Sequence, residues 1–134
     1  MPQLTPQPPG PLRRVLVVDD DAGLRQLAAE MLAAEGYMVA CACDGDDAAA
    51  RCARERFDLV LTDIEMPGMT GPELLRHLAR IHGREGPRGL LMSGLPRGSG
   101  ANTIAEPEEC SCLPKPFTRT ALAAAVRRAL ESDP

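Results

Sequence analysis

Short apolar runs alternate with amphipathic segments along most of this chain. The run Arg14–Val18, RVLVV, shows no polar alternation, which is typical of a strand that is buried on both faces. Similar strand-like segments follow at residues 37–43, 59–62, 90–92 and 111–113. Because five strands alternate with helical segments, the pattern predicts an α/β fold. In such a fold a doubly wound parallel sheet carries helices on both faces, joined by right-handed crossovers.

The segments between the strands show helical spacing of apolar residues and recognisable end signals. One stripe, predicted to face the sheet from the first helix, consists of Leu24, Leu27, Ala28, Met31 and Leu32. A second stripe, in the third helix, consists of Leu74, Leu75, Leu78 and Ile81. Gly36 should end the first helix, whereas Asp44 and Thr118 should cap the second and the last. Residues 94–109 are rich in Gly, Pro and Glu, so a helix there would be short and poorly marked.

Residues 1–12 differ in composition from the rest of the chain. They contain five prolines and little apolar periodicity, which predicts an extended tail or linker. Residues 13–134 are enough for one hydrophobic core, and we predict one domain there. The chain is 44% hydrophobic but only 2% aromatic, so the core must be built from aliphatic side chains, Met and Cys.

Charge and hydropathy argue against a nucleic-acid partner, a membrane span and a signal peptide. The net charge of −4 argues against direct binding of nucleic acid, because phosphate backbones attract basic surfaces. No apolar run approaches the roughly 18 residues of a membrane span, and the first residues lack the basic and apolar regions of a signal peptide. We therefore expect a cytoplasmic location and no membrane contact by this domain. The oligomeric state is left open.

Four of the five cysteines form two C-x-C pairs, Cys41/Cys43 and Cys110/Cys112. Two such pairs are a weak metal signal beside paired C-x-x-C motifs. Cysteine is also a common small core residue, and this is the favoured interpretation.

Polar side chains follow four of the predicted strands, at the point where each strand ends: Asp19, Asp20 and Asp21, then Asp63, then Ser93, and finally Lys115. In a doubly wound sheet the functional site lies outside the carboxyl ends of the strands, so most of these side chains should converge. Asp21 is better suited to a cap or surface position. Lys115 is the only lysine beside fourteen arginines, and it stands between Pro114 and Pro116.

The chemistry of this set points to a phosphoryl group. Carboxylates packed closely repel one another, which raises their pKa values unless a cation is bound. Oxygen ligands supplemented by water suit Mg²⁺, and with Mg²⁺ beside the first acidic pair Asp63 could act as an ionised nucleophile. A metal, the Ser93 hydroxyl and the Lys115 ammonium would then bind the three equatorial phosphoryl oxygens. Each residue alone also fits a cap, a turn or a solvated position, so the hypothesis depends on their combination.

Four motifs resemble those of response-regulator receiver domains: VLVVDDD, LVLTDIEMPGMTG, LLMSG and LPKPFT. The resemblance covers about residues 13–131 and implies a flavodoxin-like (βα)5 sheet with strand order 2-1-3-4-5. This order would separate the two C-x-C pairs by roughly 19 Å, since neighbouring strands lie about 4.8 Å apart. They could not share a zinc ion or a disulfide.

Position by position, the resemblance makes Asp63 the phosphoacceptor. The Mg²⁺ ligands that it implies are Asp19, Asp20, Asp63 and the backbone carbonyl of Glu65. Ser93 stands where the family has Thr or Ser, and Lys115 is the family lysine, whose bond to the next proline is usually cis. One departure is Cys112, because receivers often carry at this position a Tyr or Phe whose ring is coupled to the hydroxyl residue.

The function that the resemblance implies is that of a phosphoacceptor in a two-component phosphorelay. A histidine kinase or a histidine phosphotransfer protein would donate its phosphoryl group to Asp63, and water would later remove it. Such a domain is not a separate enzyme, since it catalyses only its own phosphoryl transfer and dephosphorylation. The chain would be either a stand-alone regulator or the C-terminal receiver of a hybrid sensor histidine kinase.

The motifs leave two other classes of protein open. A degenerate receiver would be a phosphorylation-independent binding scaffold, although the complete set of Asp, Ser and Lys residues argues against decay. A phosphatase on a similar sheet would use Glu65, two residues after the nucleophile, for proton transfer. Pro67 and the first-strand acidic pair fit the receiver better.

Overall fold

The computed structural model describes residues 13–93 and 111–131. Its strands are β1 (Arg14–Val18), β2 (Met38–Ala42), β3 (Leu59–Asp63), β4 (Arg88–Ser93) and β5 (Ser111–Pro114). Its helices are α1 (Ala22–Ala34), α2 (Gly45–Arg54), α3 (Gly71–His82) and α4 (Arg119–Glu131), with a 3₁₀ turn at Gly83–Glu85. The predicted tail at residues 1–12 and the poorly marked segment at 94–109 lie outside the described residues.

The five strands form one parallel sheet in the order β2-β1-β3-β4-β5. This confirms the predicted flavodoxin-like architecture. Neighbouring strands end in register, since Val18 pairs with Thr62 and Asp63 pairs with Met92. The residues that follow the strands therefore lie together at the carboxyl edge of the sheet.

The buried strands supply side chains to two core layers, one on each face of the sheet. The layer beneath α1 and α4 includes Val15, Val17, Leu32, Leu59, Leu61, Leu122 and Val126. The layer beneath α2 and α3 includes Leu16, Val18, Ala48, Cys52, Val60, Leu74 and Leu78. Successive residues of β1 alternate between the two layers, as the two-residue period of a strand requires. The central strands, and the carboxyl edge at which they end, are therefore held between two packed layers.

Two predicted core positions are wrong. Leu27 is 47% exposed and Ile81 is 59% exposed. The first helix buries Ala28 and Leu32, and Leu27 points about 100° away from Ala28 around the helix axis. Ile81 lies in the last turn of α3, after the buried Leu78 and just before the helix ends at Gly83.

The helix ends follow the predicted chemistry. Asp21, Asp44 and Thr118 each accept a backbone N–H with a side-chain oxygen at the start of α1, α2 and α4, respectively. Gly36, just after α1, has φ +100°, a conformation that favours glycine. The three caps mark where the loops that precede these helices end, and Gly36 marks where the loop after α1 begins.

The cysteines behave as the strand order predicts. Cys41 lies on β2 and Cys112 on β5, which are the two edge strands of the sheet. The described cysteines (41, 43, 52 and 112) are free. Cys110 lies outside the described residues, and the separation of the edge strands excludes a metal site shared by the two C-x-C pairs.

The longest described helices, α1 and α4, have 13 residues each. None of the helices in the two described ranges has the length and apolar character needed to cross a membrane.

Candidate functional site

Three carboxylates meet at the carboxyl edge of the sheet. Asp19 directly follows β1 and is 1% exposed, whereas Asp63 is the last residue of β3 and is 8% exposed. Asp20, in the turn that leads into α1, is exposed to solvent. One carboxylate oxygen from each residue lies within 4.8 Å of the others. The structure thus brings together the three acidic residues that the sequence predicts to converge.

Lys115 extends into this acidic cluster from the loop after β5. Its Nζ lies 3.4 Å from Asp19 Oδ2 and 3.3 Å from Asp63 Oδ1. The backbone N–H of Lys115 donates to the carbonyl oxygen of Ser93 at 2.7 Å, and the Lys115–Pro116 bond is cis, as the resemblance implies. Because its side chain is only 16% exposed, Lys115 is a component of the site rather than a solvated surface lysine.

The electrostatics of the site are dominated by negative charge. Burial raises the pKa of Asp63 above its ordinary value, and the charges of Asp19 and Asp20 raise it further. Lys115 opposes this shift through its charge and its hydrogen bond. One ammonium faces three carboxylates, so an additional cation bound here would be stabilised by the remaining negative charge.

The donor atoms of the cluster suit a hard divalent cation, because they are all carboxylate oxygens. The carboxylate of Asp19 is already engaged on both oxygens: Oδ1 accepts from the Asp21 N–H at 2.9 Å, and Oδ2 faces Lys115. Asp20 and Asp63 therefore offer the more available oxygens. The acidic cluster fits Mg²⁺ with few protein ligands and several water molecules.

Ser93 and Glu65 lie near the same carboxyl edge of the sheet, Ser93 on a strand and Glu65 in a loop. Ser93 is the half-buried last residue of β4, in register with Pro114. Glu65 lies two residues after Asp63, and its side chain is exposed. Their predicted roles, as a phosphoryl-binding hydroxyl and as a backbone carbonyl ligand, stay predictions.

Two residues near the cluster were missed by the sequence analysis. A Cβ at Gly71, the first residue of α3, would overlap the backbone carbonyl oxygen of Asp63, and the Gly71 N–H donates to the Ile64 carbonyl at 2.9 Å. Arg25 of α1 donates through Nη1 to the backbone carbonyl of Asp19 at 2.6 Å. No local signal marks Arg25. The Thr-Gly-Pro run at the start of α3 marks a helix start but not the contact that Gly71 makes.

The sequence of residues 15–127 matches the family model described as the response regulator receiver domain. This match covers most of the chain, which therefore belongs to that family. Over 115 residues the chain is 36% identical to the sensor histidine kinase RcsC of Salmonella typhi. The match covers 81% of this chain but only 11% of that kinase, so the chain corresponds to a small part of it.

Solved structures show the same fold. The chemotaxis protein CheY4 of Vibrio cholerae superimposes with a TM-score of 0.76 at 27% identity, covering 89% of this chain and 99% of that one. The response regulator TrrA of Thermotoga maritima, solved in complex with Mg²⁺ and BeF, gives a TM-score of 0.73 at 28% identity. That comparison covers 88% of this chain and 99% of TrrA.

Proposed function

We propose that this receiver domain accepts a phosphoryl group on Asp63 from a phosphohistidine and later releases it as inorganic phosphate. The donor would be a histidine kinase or a histidine phosphotransfer protein. The observation that carries the proposal is the position of Asp63, at the end of a buried central strand, beside two further carboxylates and 3.3 Å from the Lys115 ammonium.

The proposed transfer needs an ionised Asp63. One of its oxygens attacks the phosphorus of the phosphohistidine, a P–O bond forms and the P–N bond breaks. The imidazole leaves with the electron pair. In the later step, water attacks the phosphorus, the P–O bond to Asp63 breaks, and the carboxylate is regenerated with release of phosphate. Because burial raises the pKa of Asp63, the positive charge of Lys115 helps to keep it ionised.

Asp19, Asp20 and Asp63, with the backbone carbonyl of Glu65, would hold a Mg²⁺ ion. When bound, such an ion neutralises charge on the phosphoryl oxygens and on the carboxylates. The oxygen-only donor set supports this assignment, and so does the Mg²⁺ in the related Thermotoga maritima structure. Asp19 contributes mainly by orienting its neighbours, since both of its carboxylate oxygens have partners within this chain.

Lys115 and Ser93 would bind the phosphoryl oxygens once the group is attached. Both residues belong to the adjacent strand ends of β4 and β5, and the Lys115 N–H to Ser93 carbonyl bond joins the two. An ammonium is a compact donor that can turn from a carboxylate to a phosphoryl oxygen without a fixed planar geometry. The shift of Lys115 away from Asp19 and Asp63 would report the presence of the phosphoryl group.

The proposal also covers the wider setting of the domain. The free cysteines of the described ranges fit a reducing compartment, and we place the domain in the cytoplasm. Similarity to part of a sensor histidine kinase supports the idea of a hybrid-kinase receiver, whose parent protein would be a histidine kinase. Activity as a separate enzyme, direct binding to nucleic acid and contact with a membrane are not part of this proposal. The division into a tail at 1–12 and a receiver at 13–134 stays a prediction.

The test is labelling with acetyl phosphate, a small phosphodonor that needs no partner protein. We expect one alkali-labile phosphoryl group per chain in the presence of Mg²⁺ and none when the cation is chelated. Mass spectrometry of the intact chain and of its peptides would locate the group. A chain that binds its partners but takes up no label would instead be the phosphorylation-independent scaffold.

We expect Gly71→Ala to slow this labelling by at least about tenfold. The added methyl group would push the Asp63 backbone, and a misplacement of about 1 Å at a reacting group can cost roughly 100-fold in rate. The measurement is the initial rate of label uptake from acetyl phosphate at fixed Mg²⁺.

Gly68→Ala is the matched control for Gly71→Ala. Gly68 lies in the loop that leads into α3 and has φ +79°, but a Cβ there would meet no atom within 4 Å. Both substitutions should destabilise the fold by roughly 1–2 kcal/mol, one by overpacking and the other by backbone strain. Only Gly71→Ala should slow labelling; equal rates in the two variants would show that Gly71 does not position Asp63.

A further inference from the structure

Arg25 connects the first helix to the acidic cluster. It lies one turn into α1, four residues after the cap residue Asp21. Its guanidinium Nη1 donates to the backbone carbonyl of Asp19 at 2.6 Å, across a separation of six residues. The side chain thus reaches back over the start of its own helix to the end of β1.

Asp19 is held through every polar group that it has. Its N–H donates to the Ala42 carbonyl at 3.3 Å, and its carbonyl accepts from Arg25. Its Oδ1 accepts from the Asp21 N–H, and its Oδ2 faces Lys115. Among these contacts, the one with Arg25 ties the backbone of Asp19 to the body of α1.

The exposed residue of the acidic pair, Asp20, lies between two fixed neighbours. On one side, Asp19 is 1% exposed and its carbonyl is held by Arg25. On the other side, the Asp21 carboxylate accepts the N–H groups of Gly23 and Leu24 as the cap of α1. The direction in which Asp20 presents its carboxylate therefore depends on a turn of three residues that is fixed at both ends.

We propose that Arg25 is a positioning residue for the cation site: it holds the β1–α1 turn so that the Asp20 carboxylate faces Asp63. The proposal rests on the cation binding that is part of the proposed function. Residues that orient the ligands of a metal typically change its affinity by roughly 10- to 100-fold when they are replaced.

The charge of Arg25 and its positioning role predict opposite results when Arg25 is replaced by a neutral residue. A positive charge beside three carboxylates repels a second cation, so loss of the charge alone would tighten Mg²⁺ binding. Loss of the hydrogen bond to Asp19 would loosen the turn and weaken Mg²⁺ binding. The sign of the change in affinity therefore separates the two roles.

The experiment is a Mg²⁺ titration followed by amide chemical shifts in the parent chain and in variants at residue 25. We expect Arg25→Met and Arg25→Gln each to weaken Mg²⁺ binding by roughly tenfold. Arg25→Lys, which keeps a positive donor on a slightly shorter stem, should recover part of the affinity. In the metal-free proteins, the Asp21 amide should exchange with solvent faster in the two neutral variants than in the parent. Affinity that is unchanged or tighter in both neutral variants would overturn the proposal.

Arg54→Met is the control for net charge. Arg54 is exposed in the last turn of α2, close to Phe57, at the end of the sheet opposite the carboxyl ends of the strands. The substitution should leave Mg²⁺ affinity within about twofold of the parent, since charges farther apart than the screening length of about 10 Å interact weakly. If the parent itself bound no Mg²⁺, the proposed cation site would be wrong. If the parent bound Mg²⁺ and the Arg25 variants matched it, only the role of Arg25 would be wrong.

Discussion

Asp63→Asn should abolish phosphoryl labelling by acetyl phosphate, and we expect this substitution to have the largest effect of all. The amide that replaces the carboxylate has nearly the same shape, but it is neutral and cannot form the acyl phosphate bond. Because burial raises the pKa of Asp63 and so disfavours its charge, a neutral amide of the same shape should leave the fold intact. The loss is measured as label per chain by intact mass, with the folded state checked by circular dichroism.

The control for this result is Asp21→Asn. Asp21 is the nearest carboxylate that the structure assigns to helix capping, and asparagine caps helices about as well as aspartate. The control removes one negative charge two residues from Asp19 and leaves the nucleophile intact. It should label at a rate within about threefold of the parent, because the Asp21 side chain caps α1 and asparagine can accept the same backbone N–H groups. Label that persisted in Asp63→Asn, on any residue, would reject Asp63 as the phosphoacceptor.

Lys115→Met should destabilise the metal-free fold by about 2 kcal/mol. Removing one partner of a fully buried ion pair costs roughly 3–5 kcal/mol, and the Lys115 side chain, 16% exposed, keeps some contact with water. Asp19 and Asp63 would then repel each other without a counter-charge. The measurement is urea unfolding at neutral pH in the presence of a chelator.

The matched control for Lys115→Met is Arg119→Met. Arg119 forms an ion pair with Glu35 at 2.9 Å, but its side chain is 56% exposed. Exposed pairs contribute about 0–1 kcal/mol, so this variant should lose less than half as much stability. Equal losses in the two variants would mean that Lys115 acts as an ordinary surface charge.

Lys115→Arg separates charge from geometry. It should recover most of the stability, because a positive charge again faces the carboxylates. The planar guanidinium is a wide fork, so it should not replace the ammonium on a phosphoryl oxygen. We expect labelling to persist while the chemical-shift response to beryllofluoride at Ser93 and residues 111–114 falls. A response of parental size would show that the lysine is not the coupling cation.

The fold could be predicted from the sequence because its signals are redundant. Short apolar runs such as Val15–Val18 are typical of strands that are buried on both faces, and the structure buries all four of these residues in the sheet. Asp44 and Thr118 are local capping signals that depend on few neighbours. The convergence of Asp19 and Asp63 followed from topology alone, since the carboxyl ends of neighbouring parallel strands meet at one edge.

Features that depend on packing between elements could not be predicted. Leu27 fits a helical stripe as well as Ala28 does, and only the orientation of α1 on the sheet decides which of them is buried. The close approach of Gly71 to the Asp63 carbonyl depends on where α3 begins relative to β3. The contact between Arg25 and the Asp19 carbonyl depends on the side-chain conformation of Arg25, which no pattern in the sequence indicates.

The raised pKa of Asp63 couples folding of the domain to proton uptake. The pKa of this carboxyl is higher in the folded chain than in the unfolded chain, where it is near 3.8. Between these two values the folded state holds the additional proton, so its stability advantage decreases as the pH rises. Above both values the ionised Asp63 opposes folding, although the proposed chemistry requires that charge. Relative to Asp63→Asn, the parent should therefore lose free energy of unfolding as the pH rises through this window, and a bound divalent cation should restore part of it.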